Sequence, residues 1–444
     1  MQSIDSGPAL TAHTYAPAEE AVNADQLRAL QRRKLAEMFD AVLATNAFYR
    51  SKFAGIKFDP RIDPLEKLPF TTRAELEADQ IAHPPFGTNL TFPIERYCRY
   101  HQTSGTGGRS MRWIDTAESW GWFRKIWGII LTSAGVGPGD RILFAFSFGP
   151  FVGFWGAFDG AAAIGAMCLP GGGLPTPARL KMLLENRATV VCCTPTYALH
   201  MAEVAAGQGL DLANSPVKTL IVAGEPGGSI PATRARIESA WGARVIDHTG
   251  MTEMGPVSFE CQPRPGQGVH VVESEFIAEV IDPATGAPVD DGHIGELILT
   301  NLGRWGSPLI RYRTGDQVRL ARGRCACGRS FAFLEGGILG RVDEMFIVRG
   351  NNVFPTAVEA VLRRFDELAE FRCTIDQTAV LTQVRIEVEP NATCAAPDLL
   401  ADRVNQALQQ ALHFRADVAV VAAGALPRFE LKGRRFVRVR NGGA

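Results

Sequence analysis

A loop of small residues is the first part of the sequence whose composition could do chemistry. Within the stretch RYHQTSGTGGRSMRW, the chain places in succession Ser104, Gly105, Thr106, Gly107, Gly108 and Arg109. Glycine lets backbone N–H groups approach an anion, hydroxyl groups donate to its oxygens, and a guanidinium supplies positive charge. The same residues suit a surface turn, because glycine and serine favour unusual backbone angles. The loop alone leaves a phosphate cradle and a plain surface loop both open.

Four further polar stretches follow at wide spacing along the chain. They are VAGEPGG (residues 222–228), DHTGMTEMGP (247–256), IRYRTGDQVRL (310–320) and LPRFELKGRRF (426–436). With the opening loop and GRVDEMFIVRGNNVFP (340–355), they resemble, in the same order, the motif series of the adenylate-forming acyl-ligase superfamily. The sequence is most similar to the phenylacetate-CoA ligase-like, aryl-CoA ligase branch of that superfamily.

The resemblance implies a site that brings a carboxylate to the α-phosphate of ATP. Two anions repel each other, so such a site needs cations, N–H donors and a divalent metal. The loop residues Ser104, Thr106 and Arg109 would then hold the β- and γ-phosphates, with Arg109 where family members usually carry lysine. Thr252 would donate to the α-phosphate, and Glu253 would bind Mg²⁺, a hard ion that prefers oxygen ligands.

The resemblance also implies contacts to the nucleoside. Asp316 resembles the carboxylate that accepts hydrogen bonds from both ribose hydroxyls, and an ionised carboxylate can only accept. Thr249 stands where the family commonly has an aromatic residue that stacks on adenine. His248 keeps two alternatives, stacking in place of that residue or facing the acyl pocket. The nucleotide-binding residues implied in this way are Gly224, Glu225, Pro226, His248, Thr249, Gly250, Met251, Asp316 and Arg341.

The C-terminal stretch from residue 428 to 440 carries six basic residues and one acidic residue. A charged run of this kind is typical of a solvated face. The stretch also resembles the family's ending, whose lysine bridges the carboxylate and the α-phosphate, and this predicts Lys432 as catalytic. Phe429 and Leu431 stand where the family more often has serine and glycine. Asp343 resembles the family's hinge residue, about which the C-terminal part would rotate between the two half-reactions.

Cysteine and histidine at two places predict a metal site. Eight residues separate Cys261 from His270, and Cys325 and Cys327 form a C-x-C pair. Four nitrogen and sulfur ligands from two loops suit tetrahedral structural Zn²⁺. The alternative is a set of free thiols near a buried histidine.

Aromatic residues crowd one segment that predicts the acyl pocket. Phe146, Phe148, Phe151, Phe154 and Trp155 follow one another closely, with glycines between them. An apolar, aromatic-lined slot suits benzoate-like or phenylacetate-like acids, although ordinary core packing explains such a cluster equally well. The predicted acyl-pocket residues are Phe148, Phe151, Tyr197 and His248.

The elements that must position these residues alternate between strand and helix. Apolar runs predict short buried strands over residues 141–146, 189–193 and 219–223, and amphipathic runs predict helices over 25–44, 177–186 and 231–241. Strand, helix and strand in that order imply parallel pairing and an α/β fold. The uncharged segment 142–158 is nearly long enough to span a membrane, but its glycines and proline favour buried core or pocket lining.

The pattern changes near residue 270. Alternating apolar and polar residues with turn signals at Asp282-Pro283 and Asp291-Gly292 predict antiparallel hairpins. A compact α+β unit follows, with helices over 356–365 and 396–412 and strands over 378–389 and near Val418. We therefore expect an α/β protein with a large N-terminal domain (residues 1–340) of parallel and mixed sheets that binds ATP and the acid. A small mobile α+β C-terminal domain (341–444) would carry the catalytic lysine.

Composition excludes several classes of partner. The formal net charge of −1 gives no field that favours nucleic acid or an anionic membrane. The first residues lack a basic region followed by an apolar run, which argues against a secretory signal and predicts a cytoplasmic protein. Nine cysteines in a reducing compartment should be free thiols or metal ligands.

Together these observations predict an enzyme that converts an aromatic carboxylic acid and ATP to an aryl-AMP, and then to a thioester with coenzyme A. The resemblance implies ATP, Mg²⁺ and coenzyme A as cosubstrates and cofactor, and the cysteine cluster adds structural Zn²⁺. One alternative transfers the acyl group to the phosphopantetheine arm of a carrier protein. A second is a non-catalytic nucleotide-binding regulator. A homodimer is expected only by analogy with relatives.

Overall fold

The computed structural model describes residues 14–103, 110–349, 351–378, 382–430 and 432–439. Within these ranges the α-helices are α1 (Pro17–Glu20), α2 (Ala24–Thr45), α3 (Ala47–Lys52), α4 (Arg73–Ala82), α5 (Ala117–Ser133), α6 (Val152–Ala163), α7 (Thr176–Glu185), α8 (Pro195–Gly207), α9 (Pro231–Trp241), α10 (Pro355–Leu362) and α11 (Pro397–Leu412). Short 3-10 helices lie at Leu65–Lys67, Ile94–Arg96 and Val342–Glu344.

The strands of the same ranges are β1 (Tyr97–Gln102), β2 (Arg112–Thr116), β3 (Arg141–Phe144), β4 (Met167–Pro170), β5 (Val190–Cys193), β6 (Thr219–Val222), β7 (Arg244–Asp247), β8 (Gly250–Met251), β9 (Gly255–Pro256), β10 (Ser258–Phe259), β11 (Gly268–Val271), β12 (Phe276–Ile281), β13 (Ile294–Asn301), β14 (Tyr312–Ala321), β15 (Phe333–Glu335), β16 (Gly340–Arg341), β17 (Phe346–Val348), β18 (Asn351–Val353), β19 (Leu368–Asp376), β20 (Gln383–Pro390), β21 (Asp417–Val420) and β22 (Phe436–Val439).

A five-stranded parallel sheet is built from residues 141–247. Its order is β4-β3-β5-β6-β7, and every neighbouring pair is parallel. Strands β5 and β6 are four-residue apolar runs buried along their whole length, as expected where helices cover both faces of a parallel sheet. The crossovers are α6, α7, α8 and α9. The predicted α/β architecture is therefore confirmed, and the carboxyl ends of β5, β6 and β7 meet at one edge.

The uncharged segment 142–158 does not form one continuous element. It begins within β3, turns through Gly149 and Pro150, and ends within α6. Proline cannot continue a helix interior, and the turn lets the chain reverse direction at the strand end. Strand β4, which follows α6 and pairs with β3, was missed because its half-exposed edge position gives little apolar signal. In the described ranges, no helix is long and apolar enough to cross a membrane.

A seven-stranded antiparallel sheet follows the parallel sheet in the described chain. In the described residues its path is β10-β11-β15-β14-β13-β12, and β16 pairs with β14. Strands β12 and β13 pair from Phe276 opposite Asn301 to Ile281 opposite Glu296, which confirms the predicted antiparallel pairing. Both predicted turn signals fall in the connection between β12 and β13, so the segment forms one hairpin where several were expected.

The last part of the described chain is a four-stranded sheet in the order β21-β20-β19-β22, covered by α10 and α11. Both helices lie close to their predicted limits, and the predicted strand over 378–389 begins later, as β20. Strands β19 and β22 were not predicted. Charged residues in these strands interrupt the apolar pattern that predicts a buried strand. Glu370 of β19 is an example, since it is buried in an ion pair with Arg435, which is distant in sequence.

The predicted domain boundary at Gly340 to Asp343 coincides with a change of sheet. Strand β16 is paired to β14 of the antiparallel sheet, the 3-10 helix Val342–Glu344 follows, and β17 then pairs with β18. The division into residues 1–340 and 341–444 stays a prediction.

Helices α5 and α6 pack closely because small residues of α6 face Trp127 of α5. A Cβ atom at Gly160 would lie 2.4 Å from Cβ of Trp127, and one at Gly156 would lie 2.8 Å from the indole Nε1. Such separations are far below a van der Waals contact, so these two positions require glycine. The packing places Trp155 and Phe158 of α6 against the core that also contains Trp127.

We expect Gly160→Ala to lower the free energy of unfolding by about 1–3 kcal/mol, because the added methyl group overpacks the α5–α6 interface. Gly153→Ala in the same helix is the matched control, since a Cβ atom there meets nothing within 4 Å. The control should leave stability unchanged or raise it by up to about 1 kcal/mol through helix propensity. Urea unfolding followed by tryptophan fluorescence makes the comparison, and equal midpoints for both variants would contradict the packing argument.

Candidate active site

The predicted phosphate loop, residues 104–109, lies outside the described residues, so the roles of Ser104, Gly105, Thr106, Gly107 and Arg109 stay predictions. Its two ends are described, and they are held together. The antiparallel pair β1 and β2 flanks the loop. The Thr103 N–H donates to the Met111 carbonyl at 2.9 Å, and the Met111 N–H donates to Thr103 Oγ1 at 2.9 Å. The described residues on either side of the predicted loop are therefore joined by two hydrogen bonds.

A buried ion pair connects this hairpin to the TGMTE segment. Arg304 donates from Nε and Nη2 to the two carboxylate oxygens of Asp115 at 2.7 and 2.8 Å, and both side chains are 0% exposed. Arg304 Nη1 donates to the carbonyl oxygens of Thr252 and Glu253 at 2.8 and 2.6 Å. Burial alone would raise the pKa of Asp115, but the charge and hydrogen bonds of Arg304, together with His101, lower it below its usual value. The pair therefore fixes the backbone at the predicted magnesium-binding position.

The side chain of Glu253 is buried, and one of its oxygens accepts a hydrogen bond from Arg73 Nη1 at 3.0 Å. Asp316 lies in the same neighbourhood, as the environment of Tyr312 indicates. Burial is the main reason that the pKa of Tyr312 is raised, and the charges acting on its hydroxyl include Glu253, Arg73, Arg341 and Asp316. Two predicted site carboxylates and two arginines therefore all act electrostatically on one buried tyrosine.

Asp316 pairs with Arg341 across strands β14 and β16. Arg341 Nη1 donates to Asp316 Oδ1 at 3.1 Å, and Arg341 Nε donates to Asp343 Oδ1 at 2.9 Å. Burial raises the pKa of Asp316 to about 6, although Arg341 opposes that shift. One guanidinium therefore joins the predicted ribose-binding carboxylate to the predicted hinge residue.

The segment from His248 to Met251 continues from the end of β7. His248 is buried, and its ring packs edge-on against Trp127 with 4.6 Å between ring centroids. Burial lowers the pKa of His248 to about 4, so the ring is neutral at pH 7. Thr249 Oγ1 lies 2.8 Å from Ser258 Oγ. A Cβ atom at Gly250 would lie 2.8 Å from the Gly255 carbonyl oxygen, so the β8–β9 turn requires glycine there.

Lys432 lies beside the turn formed by Gly224, Glu225 and Pro226. Gly224 has φ +94°, and a Cβ atom built there would lie 3.4 Å from Cε of Lys432. Lys432 itself is exposed. Burial raises the pKa of Glu344, and the charges acting on its carboxylate include Arg341, Asp343 and Lys432. The structure therefore brings the predicted catalytic lysine against the Gly224 turn, which follows β6.

The predicted acyl-pocket residues divide into two groups. The ring of Phe148 packs against Trp155 and Phe158 with centroid distances of 5.0 and 5.5 Å, and Phe151 is the N-cap residue of α6. Tyr197 is instead fully buried in a separate core cluster, where its hydroxyl lies 2.9 Å from Thr176 Oγ1. These contacts do not bring Tyr197 to Phe148.

The predicted metal ligands do come together. One donor atom each from Cys261, His270, Cys325 and Cys327 lies within 4.8 Å of the others, and all four residues are buried. His270 Nδ1 lies 2.9 Å from the Phe331 carbonyl oxygen, which leaves Nε2 facing the thiols at 3.7 Å from Cys327 Sγ. Hydrogen bonding from Cys261 is the main reason that the pKa of Cys327 is lowered to about 3, and a thiolate is the form that binds metal. The donor set and its spacing fit a tetrahedral zinc ion.

Sequence reasoning missed the residues that hold these motifs in place. Arg304 and Asp115 are 189 residues apart, and neither belongs to a motif. Arg73 follows the N-cap residue Thr72 of α4, where a charged residue draws no attention. No sequence pattern could have paired these residues, because each contact depends on the assembled tertiary structure.

Comparison with known proteins agrees with this arrangement. The AMP-binding enzyme family matches residues 102–303, and the AMP-binding enzyme C-terminal domain matches residues 350–440. A phenylacetate-coenzyme A ligase from Thermus thermophilus is 32% identical over 403 residues, which covers 88% of each protein.

Solved structures of 2-hydroxyisobutyryl-CoA ligase show the similarity in three dimensions. Its crystal structure in the postadenylation state with 2-HIB-AMP has a TM-score of 0.91 at 29% identity, covering 99% of this chain and 95% of that chain. The same enzyme with 2-HIB-AMP and CoA in the thioesterification state has a TM-score of 0.71 at 30% identity, covering 96% and 92%. The chain is therefore more similar in shape to the postadenylation state than to the thioesterification state. It belongs to the adenylate-forming AMP-binding enzyme family, together with the phenylacetate-CoA ligases, and is an AMP-forming acid–thiol ligase.

Proposed function

We propose that the acid activated by this ligase is aromatic. The observation that carries the proposal is the cluster of Phe148, Trp155 and Phe158 at the end of β3 and in α6, which offers flat apolar surfaces to a ring. The phenylacetate-coenzyme A ligase of Thermus thermophilus supports the same substrate class. The structural relative acts on a 2-hydroxyisobutyryl group, which is aliphatic. The two relatives therefore represent two classes of acid, aromatic and aliphatic, and the aromatic cluster favours the first.

Two polar atoms near this cluster suit a substituted ring. Among the described residues, neither Nδ1 of His248 nor Nε1 of Trp127 has a hydrogen-bond partner, and both atoms are buried. Burying a polar group without a partner is costly. A hydroxyl or amino group on the acid would satisfy them, which favours salicylate-like or anthranilate-like acids.

The remaining residues are proposed to bind the nucleotide and its metal. Glu253 would hold Mg²⁺, which would supply positive charge to the phosphate oxygens. Thr252 would donate to the α-phosphate, Asp316 would accept from the ribose hydroxyls, and Arg341 would orient Asp316 as it does here. The turn Gly224 to Pro226 and the segment from His248 to Met251 would enclose adenine, and the loop Ser104 to Arg109 would hold the β- and γ-phosphates.

Lys432 is proposed as the catalytic residue of the first half-reaction. A carboxylate oxygen of the acid bonds to the α-phosphorus while the bond from that phosphorus to the pyrophosphate oxygen breaks. The ammonium group neutralises the two anions as they approach, a form of electrostatic stabilisation. In the second half-reaction, the sulfur of coenzyme A bonds to the acyl carbon and AMP leaves. Asp343 is proposed as the hinge that removes Lys432 between the two steps.

We also propose that Cys261, His270, Cys325 and Cys327 hold a structural zinc ion. The four ligands are buried and close, which fits a closed structural site with no open position for substrate. The Nδ1 contact of His270 to the Phe331 carbonyl would fix the ring for metal binding through Nε2.

Acid-dependent exchange of labelled pyrophosphate into ATP tests the proposed substrate class. We expect exchange with at least one of benzoate, phenylacetate, salicylate and anthranilate, with the hydroxyl- or amino-substituted acids above benzoate. Release of AMP on adding coenzyme A, but not a carrier-protein thiol, would identify the acceptor. The matched aliphatic acid is 2-hydroxyisobutyrate. A higher rate with that acid than with every aromatic acid would overturn the aromatic assignment.

Replacement of the proposed catalytic lysine should separate the half-reactions. Lys432→Ala is expected to slow pyrophosphate exchange by roughly a hundredfold or more, because it removes a positive charge that acts on the transition state. Conversion of supplied aryl-AMP to the CoA thioester should persist. The control is Lys181→Ala, since Lys181 is a surface lysine that is 73% exposed. Equal loss of both half-reactions in the Lys432 variant would count against the assigned role.

Metal analysis tests the zinc proposal independently of activity. The purified protein should contain about one zinc per chain. The double variant Cys325→Ser, Cys327→Ser should lose the metal and melt at a lower temperature, because structural zinc contributes directly to folding. Cys98→Ser, which changes an exposed cysteine, should retain both. Metal-free protein with an unchanged melting temperature would leave the cluster as free thiols.

A further inference from the structure

The carboxylate of Glu225 bridges two parts of the chain that are far apart in sequence. Its Oε1 accepts the backbone N–H of Thr196 at 2.8 Å, and its Oε2 accepts the backbone N–H of Gly433 at 2.6 Å. Thr196 lies in the first turn of α8, next to the parallel sheet. Gly433 directly follows Lys432 in the C-terminal part. One side chain therefore ties the residue next to the lysine to the large part of the molecule.

The backbone geometry makes this contact specific to the lysine loop. Gly224 has φ +94° and so turns the chain in a way that disfavours any other residue, which sets the direction of the following Glu225. Cε of Lys432 lies close to the same turn. Charge-assisted hydrogen bonds from two N–H groups to one carboxylate are short and strong. The side chain of Lys432 therefore lies over the Gly224 turn, and the backbone directly after Lys432 is hydrogen-bonded to Glu225.

Other contacts between the C-terminal part and α8 do not involve the backbone next to Lys432. Arg435 donates to Thr196 Oγ1 at 2.8 Å and pairs with Glu370 of its own sheet. Arg428 pairs with Glu203 of α8 at 3.2 Å, where Glu203 is 54% exposed. These contacts dock the C-terminal part as a whole. Among the described residues, the Glu225 contact is the one that reaches the residue adjoining Lys432.

We propose that Glu225 is the positioning residue for Lys432 in the adenylation half-reaction. The inference rests on the proposed role of Lys432. The carboxylate holds the Gly433 amide and thereby keeps the side chain of Lys432 docked against the Gly224 turn, beside the proposed nucleotide site. Because Gly433 belongs to the part that rotates, the contact exists only while the lysine is docked. Glu225 therefore favours the first half-reaction and gives no help to the second.

The test is Glu225→Gln, assayed in both half-reactions. Glutamine keeps the size of the side chain, but it loses the negative charge and turns an N–H₂ group toward one of the two backbone donors. We expect pyrophosphate exchange to fall tenfold or more, with a change of less than twofold in thioester formation from supplied acyl-AMP. The dissociation constant for ATP should also change less than twofold, because both carboxylate oxygens of Glu225 bind backbone amides and only the backbone of its turn is proposed to line adenine.

Glu203→Gln is the matched control. It removes the same charge from the same docking surface, but its partner is Arg428, away from the Lys432 backbone. Both half-reactions should stay within twofold of the unaltered protein. Retained thioester formation in Glu225→Gln shows in the same experiment that the variant is folded.

Three outcomes overturn the inference. Undiminished pyrophosphate exchange in Glu225→Gln would show that the contact is dispensable, and equal loss of both half-reactions would indicate a general structural role. Weakened ATP binding would assign Glu225 to the nucleotide site instead. Lys432→Ala distinguishes failure of the positioning role from failure of the proposed function. If the Lys432→Ala variant also adenylates normally, both the catalytic role of Lys432 and the positioning role of Glu225 are wrong. If only Glu225→Gln adenylates normally, the proposed function stands and the positioning role alone is wrong.

Discussion

The buried ion pair of Asp115 and Arg304 is the interaction on which the geometry of the site depends. Removing two charges from water costs several kcal/mol per ion unless the pair is well oriented and its remaining donors are satisfied. Here the arginine meets both conditions, because it binds both carboxylate oxygens and two backbone carbonyls. Leaving one partner alone would cost about 3–5 kcal/mol. Strand β2 and the TGMTE segment therefore hold one relative position, which sets Glu253 with respect to the end of the phosphate loop.

The sequence predicted the fold best where a pattern is local. Short apolar runs separated by amphipathic helices were sufficient to predict the parallel sheet. Strands buried on both faces, such as β5 and β6, are apolar along nearly their whole length. Strand β19 escaped prediction for the opposite reason. Its Glu370 looks like a surface residue until Arg435, 65 positions later, is found against it in the folded chain. Long-range charge pairing erases the local signal on which sequence prediction depends.

The candidate site divides in the same way. The residues expected to touch substrates stand in short motifs with recognisable order, and the four cysteine and histidine ligands could be chosen by residue type alone. The positions of Tyr197 and Glu225 could not be foreseen. Tyr197 was chosen by composition; it is buried in a core cluster apart from Phe148, and its place in the acyl pocket stays a prediction. The carboxylate of Glu225 binds two amides that the linear sequence does not bring near it. Backbone donors carry no residue-type signature at all.

The strength of these contacts differs between the two parts of the molecule, and the difference suits a two-step reaction. The Asp115–Arg304 pair that holds the backbone at Glu253 is fully buried, whereas Arg341 and Asp343 are 39% and 67% exposed and Glu203 is more than half exposed. Ion pairs at such exposed positions are worth about 0–1 kcal/mol each. Arg341 also contacts Asp316, so breaking its pair with Asp343 leaves the guanidinium next to another carboxylate. The ion pair of the proposed hinge residue Asp343 can therefore break at low cost while the buried Asp115–Arg304 pair keeps its geometry. Departure of Lys432 would then leave the backbone at Glu253 in place.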